Sequence, residues 1–158
     1  MNTMPTNKPD LPVVLILCTG NSCRSQMAEA FLRAAAGDIV EVCSAGTKPV
    51  GYINPHVIHV MREADVDLTL PPYRSKSMNE FLEADKNITT VITVCSEANA
   101  TCPIFPGQAN RHHWLFDDPA RTGGSVSKKL EEFRRVRDQI KLVFQAYAAG
   151  LREGRAAG

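Results

Sequence analysis

The sequence predicts a single α/β domain built on a flavodoxin-like, four-stranded parallel sheet in the order 2-1-3-4, with helices on both faces. Three observations predict it. Short β-branched runs alternate with helical stretches along the chain. A length of 158 residues with 44% hydrophobic content suffices for one core but falls short of two. The last stretch carries an apolar stripe at helical spacing, which suits a closing helix laid on a sheet.

Met1 to Asp10 is polar, holds two prolines and lacks periodicity, so it is expected to be a flexible arm ahead of a domain spanning 11–150, with 151–158 as a C-terminal tail. Val13-Val14-Leu15-Ile16-Leu17 is a β-branched run between Pro12 and a glycine turn, the mark of a first strand. Good helix formers follow from Gln26 to Ala36 and stop before Gly37. Val40 to Cys43 predicts a second strand, Pro55 to Ala64 a helix opened by proline, and Met78 to Ala84 a short helix. Thr89 to Val94 is the clearest buried strand, and His113 to Phe116 is a weaker fourth. Between Ser127 and Gly150, Leu130, Phe133, Val136, Ile140, Val143, Phe144 and Tyr147 recur at helical spacing. In this strand order the cleft lies at the carboxyl end of the first strand. Cys18 and Cys95 each directly follow a predicted strand and become neighbours there, and the loop after the fourth strand can deliver Asp118 to the same edge.

With 18 basic and 17 acidic residues the net charge is +1, which provides no field for nucleic acid or an anionic membrane. Val13 to Leu17 is far too short to span a bilayer and lacks signal-peptide flanks, so a soluble cytoplasmic protein is expected. Five cysteines is an odd number, and in a reducing compartment they are more plausibly catalytic or redox-active than structural.

The strongest local signal is Cys18-Thr19-Gly20-Asn21-Ser22-Cys23-Arg24-Ser25, a cysteine and an arginine six positions apart between a strand and a helix. A tight turn there can point its backbone N–H groups inward and form an anion-binding nest, reinforced by the helix N-terminus. Arg24 adds a fork for two oxygens. The same positive surroundings stabilise a thiolate, so Cys18 is expected to be nucleophilic near neutral pH, with Ser25 able to donate to it. The bland alternative is a glycine-containing turn with a buried cysteine; the strand before and the helix after favour the functional reading. Cys23 faces inward or backs the loop.

The segment from Cys18 through Ser25-Gln-Met-Ala to Glu29 resembles the active-site segment of the thioredoxin-coupled arsenate reductases of the low-molecular-weight protein tyrosine phosphatase superfamily. The resemblance continues through Ser44-Ala-Gly46, Val94-Cys95, Cys102-Pro103, His113-Trp114 and Asp117-Asp118-Pro119-Ala120. It implies that Cys18 attacks the oxyanion, that Arg24 and the loop amides hold it, that Asn21 braces the loop and that Asp118 is the general acid. It also implies arsenate as substrate with phosphate or sulfate as analogues, no bound cofactor, and thioredoxin as electron donor.

A carboxylic acid that protonates the departing oxygen accelerates its loss, and either Asp117 or Asp118 has the chemistry. The residue before proline is biased to an extended conformation, which can aim Asp118 into the cleft. Two solvated carboxylates in an ordinary turn are the alternative. Cys95 and Cys102 lie seven positions apart in a polar segment, too wide for one helical turn, so a bridge between them requires that segment to rearrange. Such a bridge would move oxidation outward to a reductase. A zinc site from Cys95, Cys102, His112 and His113 competes for these side chains, but the cysteine gap and the adjacent histidines suit one tetrahedral ion poorly, and no metal is expected. His56 and His59 suit surface or packing roles, and Cys43 the core.

Hydrolysis of phosphate monoesters needs only the loop and the acid, whereas arsenate reduction needs a second thiolate. Cys95 supplies that thiolate, and Cys102 can then attack Cys95. Ala120 and Arg121 after Asp118 leave room for a small oxyanion and little stacking surface for an aryl ester. A low-molecular-weight phosphatase and a non-enzymatic redox- or oxyanion-responsive binding protein remain the alternatives. Some members of the reductase group bind potassium through a Thr-x-Asp stretch. The corresponding Ser75-Lys76-Ser77 lacks the carboxylate, leaving Lys76 as either a fixed positive charge or a solvated surface lysine.

Overall fold

Every residue of Val13–Cys18 (β1) is buried, as a central strand covered on both faces requires. In the computed structural model, which describes residues 10–84, 86–95 and 105–157, β1 pairs in parallel with Glu41–Gly46 (β2) and with Ile88–Thr93 (β3). The outer side of β3 takes Asn110–His113 (β4), also parallel, which completes the predicted order β2-β1-β3-β4. The expected N-terminal arm lies, but for Asp10, outside the described residues, and so does Cys102.

Side chains alternate across β1 with the two-residue period of a strand. Val14, Ile16 and Cys18 face a core built with Arg24–Ala36 (α1), Pro55–Glu63 (α2) and Val126–Ala157 (α4), through Met27, Leu32, Val57, Met61, Phe133, Ile140 and Phe144. Val13, Leu15 and Leu17 face a smaller cluster with Cys43, Val91, Phe105 and Phe81, the last from the five-residue helix Asn79–Glu83 (α3). The nucleophile candidate thus points toward the thick helical layer. Proline opens α2 behind Asn54, whose side chain accepts from the His56 amide. At the other end of α2, Glu63 accepts from Arg134 and Arg137 of α4, and the Arg134 guanidinium holds its carboxyl down to about 2.

Two elements differ from expectation. The fourth strand is Asn110–His113, ahead of the apolar 113–116 run, because an edge strand of mostly exposed residues needs no hydrophobic pattern. The apolar residues that follow serve packing instead, with Trp114 edge-on to Phe144 and Phe116 against it too. The closing helix runs past Gly150 to Ala157. Glycine weakens a helix interior by only about 1 kcal/mol relative to alanine. Leu151 packs on the core, and Arg152 donates to Ala35 O and pairs with Asp38 at the end of α1.

Candidate active site

A loop that turns its amides inward must turn its carbonyls outward, and this one does so at six successive residues. Cys18 O accepts from Thr47 N (3.3 Å), Thr19 O from Lys48 N (3.0 Å), Gly20 O from Val50 N (3.1 Å), Ser22 O from Asn54 N (3.1 Å) and Cys23 O from Met27 N (3.1 Å). Asn21 O accepts from Gln26 Nε2 at 3.1 Å. Asn21 takes the left-handed φ of +50° that lets the chain double back, a conformation asparagine tolerates better than most residues. Its amide donates to Cys18 Sγ at 3.2 Å. Cys23 caps α1 without a side-chain hydrogen bond, and the first turn holds no acidic residue, so the positive end of the helix faces the loop.

The loop is held from behind by a chain of buried polar groups. Ser25 Oγ lies 2.8 Å from Cys18 Sγ and accepts from Asn21 Nδ2 at 2.8 Å, which leaves its own hydrogen for the sulfur. Asn21 Nδ2 also donates to Ser44 Oγ (3.0 Å), which donates to Glu29 Oε1 (2.6 Å). Residues 74–77 close the arrangement. Arg74 O accepts from Gln26 Nε2, Ser75 Oγ donates to Gly20 O, Lys76 N donates to Asn21 Oδ1, and Ser77 bridges to Gly46. Gly46 is required by close approach, since a Cβ there would lie 2.3 Å from Thr19 O.

Arg24 is buried, donates from Nη1 to Phe116 O at 3.0 Å, and places Nη2 3.8 Å from Asp118 Oδ2. Asp118 has the extended backbone expected before Pro119, accepts from Ala120 N at 3.0 Å, and is three-quarters shielded. Asp117 turns away: its side chain is 76% exposed and pairs with Arg135 of α4 at 2.9 Å. The structure therefore brings Cys18, Arg24 and Asp118 to one edge. Cys95 is fully buried at the end of β3, next to β1, where Leu17 pairs with Thr93 and Val94 N donates to Leu17 O at 3.0 Å. Cys102 falls outside the described residues.

The other singled-out residues take distinct places. Burial pushes the Cys23 thiol up to about 11, and burial followed by Glu41 does the same to Cys43, so both are protonated at neutral pH. His112 stacks on Trp114, while His113 Nδ1 meets Thr93 Oγ1, so the two rings of the competing zinc reading have different neighbours. His56 packs on Phe133 and His59 pairs with Glu63. Segment 47–54 runs beside the loop with Val50 and Tyr52 exposed, an apolar rim that the residues after Asp118 did not suggest.

The brace of Gln26, Glu29, Ser44, Arg74 and Ser75 was not assigned from sequence, which leaves Lys76 between a fixed positive charge and a solvated surface lysine; it is buried. Its signal was available in part: Gln26 and Glu29 are polar on the buried face of α1, and Ser44 is polar inside β2. The 74–76 segment carries no such pattern.

A cysteine and an arginine on an inward-facing amide loop, at the switch point of a 2-1-3-4 parallel sheet, define the phosphatase-like class of α/β proteins. The chain belongs to the low molecular weight phosphotyrosine protein phosphatase family, whose profile matches residues 13–157. It is 42% identical over 135 residues to arsenate reductase 1 of Staphylococcus epidermidis, covering 85% of this chain and 94% of that one. Its structure is similar to an arsenate reductase in the phosphate binding state, at a TM-score of 0.71 and 29% identity, covering 89% of this chain and 98% of that one. It is also similar to the thioredoxin-dependent arsenate reductase Cg_ArsC1' of Corynebacterium glutamicum, at a TM-score of 0.56 and 26% identity, covering 89% and 65%.

Proposed function

We propose that this protein reduces arsenate to arsenite through Cys18, Cys95 and Cys102, and that thioredoxin regenerates it in a reducing cytoplasm. The observation that carries the proposal is the placement of a second buried cysteine, Cys95, at the end of the strand adjoining the nucleophile's own. Hydrolysis has no use for it. The relatives named above, arsenate reductases, support the same choice of central atom.

The chemistry balances as follows. The Cys18 thiolate attacks arsenic(V), and one oxygen leaves after taking the Asp118 proton. Amides of Thr19, Gly20, Asn21, Ser22, Cys23 and Ser25, with the Arg24 fork, carry the remaining oxyanion charge. The Cys95 thiolate then attacks Cys18 Sγ, and the sulfur–arsenic electron pair departs with arsenic as arsenite. A Cys18–Cys95 disulfide remains. Cys102 attacks Cys95, returning Cys18 as a thiolate, and a reduced dithiol of the thioredoxin class opens the Cys95–Cys102 bridge.

The deciding assay follows oxidation of reduced thioredoxin on adding arsenate. Sustained, arsenate-dependent consumption with arsenite release is expected, and none with phosphate. Hydrolysis of a phosphate monoester without thioredoxin consumption would assign the protein to the phosphatases instead, and tight oxyanion binding without turnover would make it a binding protein. Within that assay, Asp118→Asn is expected to slow the first chemical step by about 10²–10⁴-fold with a far smaller effect on arsenate affinity. Asp117→Asn, whose carboxylate faces Arg135, is expected to behave as the unmodified protein. The reverse pattern would mean that the acid is Asp117.

A further inference from the structure

Arg24 has to keep its positive charge free for the oxyanion, yet a carboxylate lies beside it. Arg24 Nη2 is 3.8 Å from Asp118 Oδ2, beyond hydrogen-bond reach, although an arginine and a carboxylate free to meet form charge-assisted bonds of about 2.7–2.9 Å. Closure would harm the site twice. The guanidinium would be engaged by Asp118, and a cation in contact favours the ionised carboxyl group where the reaction calls for a proton donor.

The restraint comes from the other nitrogen of the fork. Arg24 Nη1 donates to Phe116 O at 3.0 Å, in a buried contact between residues 92 positions apart. A carbonyl is a neutral acceptor, so it fixes the direction of the guanidinium without cancelling its charge. Its own place depends on the segment that carries it. Trp114 N donates to Thr93 O at 2.9 Å, which ties the segment to β3. The Phe116 ring, 6% exposed, packs on Phe144 of α4 at 6.4 Å between centroids, and Trp114 meets the same ring edge-on at 5.4 Å. Asp117 adds an exposed ion pair to Arg135, and pairs of that kind hold weakly. Two residues beyond Phe116 stands Asp118, whose Oδ1 accepts from Ala120 N at 3.0 Å. One short segment thus presents to Arg24 both the acceptor that holds it and the carboxylate that attracts it.

We propose that Phe116 is a positioning residue for the reaction: with its ring packed against Phe144, its carbonyl holds Arg24 off Asp118, so that the guanidinium meets the oxyanion and the carboxyl group meets the departing oxygen. This rests on the reading of Arg24 as oxyanion ligand and Asp118 as acid. Arg121 Nε also lies 3.8 Å from Asp118 Oδ2, but its side chain is 74% exposed. Water screens that charge, and it needs no comparable restraint.

Phe116→Ala and the milder Phe116→Val test the proposal, with Phe81→Val as control, because Phe81 is a buried phenylalanine in the cluster on the opposite face of the sheet. Thermal melting fixes a temperature at which the compared proteins are folded. Calorimetric affinity for inorganic phosphate is expected to fall by about tenfold in Phe116→Ala and by less in Phe116→Val, as the charge-assisted bonds from Arg24 to the oxyanion are lost. Arsenate turnover by Phe116→Ala is expected to fall through both KM and kcat, the latter by at least about tenfold. The discriminating measurement uses an Asp118→Asn background. No carboxylate is then present to draw Arg24 away, and Phe116→Ala is expected to change phosphate affinity by less than about threefold. Phe81→Val is expected to lower the melting temperature and leave phosphate affinity unchanged. Unchanged affinity in folded Phe116→Ala and Phe116→Val proteins, the same loss in the Asp118→Asn background, or an equal loss in Phe81→Val would overturn the proposal. Absence of phosphate binding by the unmodified protein would overturn the oxyanion-site reading instead, and absence of arsenate reduction beside the expected phosphate affinities would reject the reaction while supporting the positioning role.

Discussion

Cys18→Ser is expected to lower arsenate turnover by more than about 10³-fold while the fold and oxyanion binding survive. The asymmetry follows from what the side chain does and what it does not hold. The sulfur is a recipient in this site: it accepts from the Asn21 amide and faces the Ser25 hydroxyl, and a serine oxygen can occupy the same two contacts. The loop's shape depends on other groups, chiefly the six outward carbonyls, the Asn21 side chain and the approach of Thr19 O to Gly46. Arg24 remains anchored to Phe116 O. An oxygen nucleophile lacks the low proton affinity of a thiol, and a seryl–arsenic ester offers no sulfur for Cys95 to attack, so both chemical steps fail together. Calorimetry with arsenate or phosphate is expected to show affinity within about fivefold of the unmodified protein, since the amides and the guanidinium carry binding. Comparable turnover by this variant would remove Cys18 from the mechanism.

The parts of this site legible in the sequence are those where chemistry and chain order coincide. Cys18 to Ser25 is one uninterrupted stretch between a strand of β-branched residues and a helix, so its candidacy as an oxyanion loop shows in its spacing. The preference for Asp118 over Asp117 came from the resemblance together with the extended backbone favoured before a proline, whereas the pairing of Asp117 with Arg135, a residue of α4 that no local pattern links to it, shows only in the structure. The brace was not legible because it is assembled from α1, β2 and the 74–77 segment, whose approach is set by the sheet. Nothing in Arg74-Ser75-Lys76 distinguishes a lysine folded under a loop from one in solvent. Once Gly46 pairs with Ser77, the strand register carries Lys76 inward. The fourth strand eluded the pattern for a related reason. An exposed edge strand is specified by its neighbour's unsatisfied backbone groups, and Asn110-Arg111-His112-His113 carries little periodic signal of its own.

Cys95→Ser and Cys102→Ser are expected to fail at different points, and the difference tests the order of the relay. Cys95→Ser keeps the Cys18 attack and the Asp118 acid but has no thiolate beside the adduct, so it is expected to bind arsenate and release almost no arsenite even once. Cys102→Ser is expected to release about one equivalent of arsenite and stall, because its Cys18 and Cys95 complete the first disulfide and nothing within the chain can then attack Cys95. The burial of the first two cysteines sharpens the expectation. Cys18 is 4% exposed and Cys95 is 0% exposed, so a bridge between them is shielded from a protein reductant. Thioredoxin is therefore expected to restore Cys102→Ser poorly, and a small dithiol better. Mixing each variant with excess arsenate in the absence of reductant, counting arsenite and mapping disulfides by mass spectrometry, separates the outcomes. A Cys18–Cys95 bridge in Cys102→Ser, with no bridge involving Cys18 in Cys95→Ser, is the expected map. Sustained thioredoxin-driven turnover by Cys102→Ser would replace the three-cysteine relay with a two-cysteine cycle completed from outside.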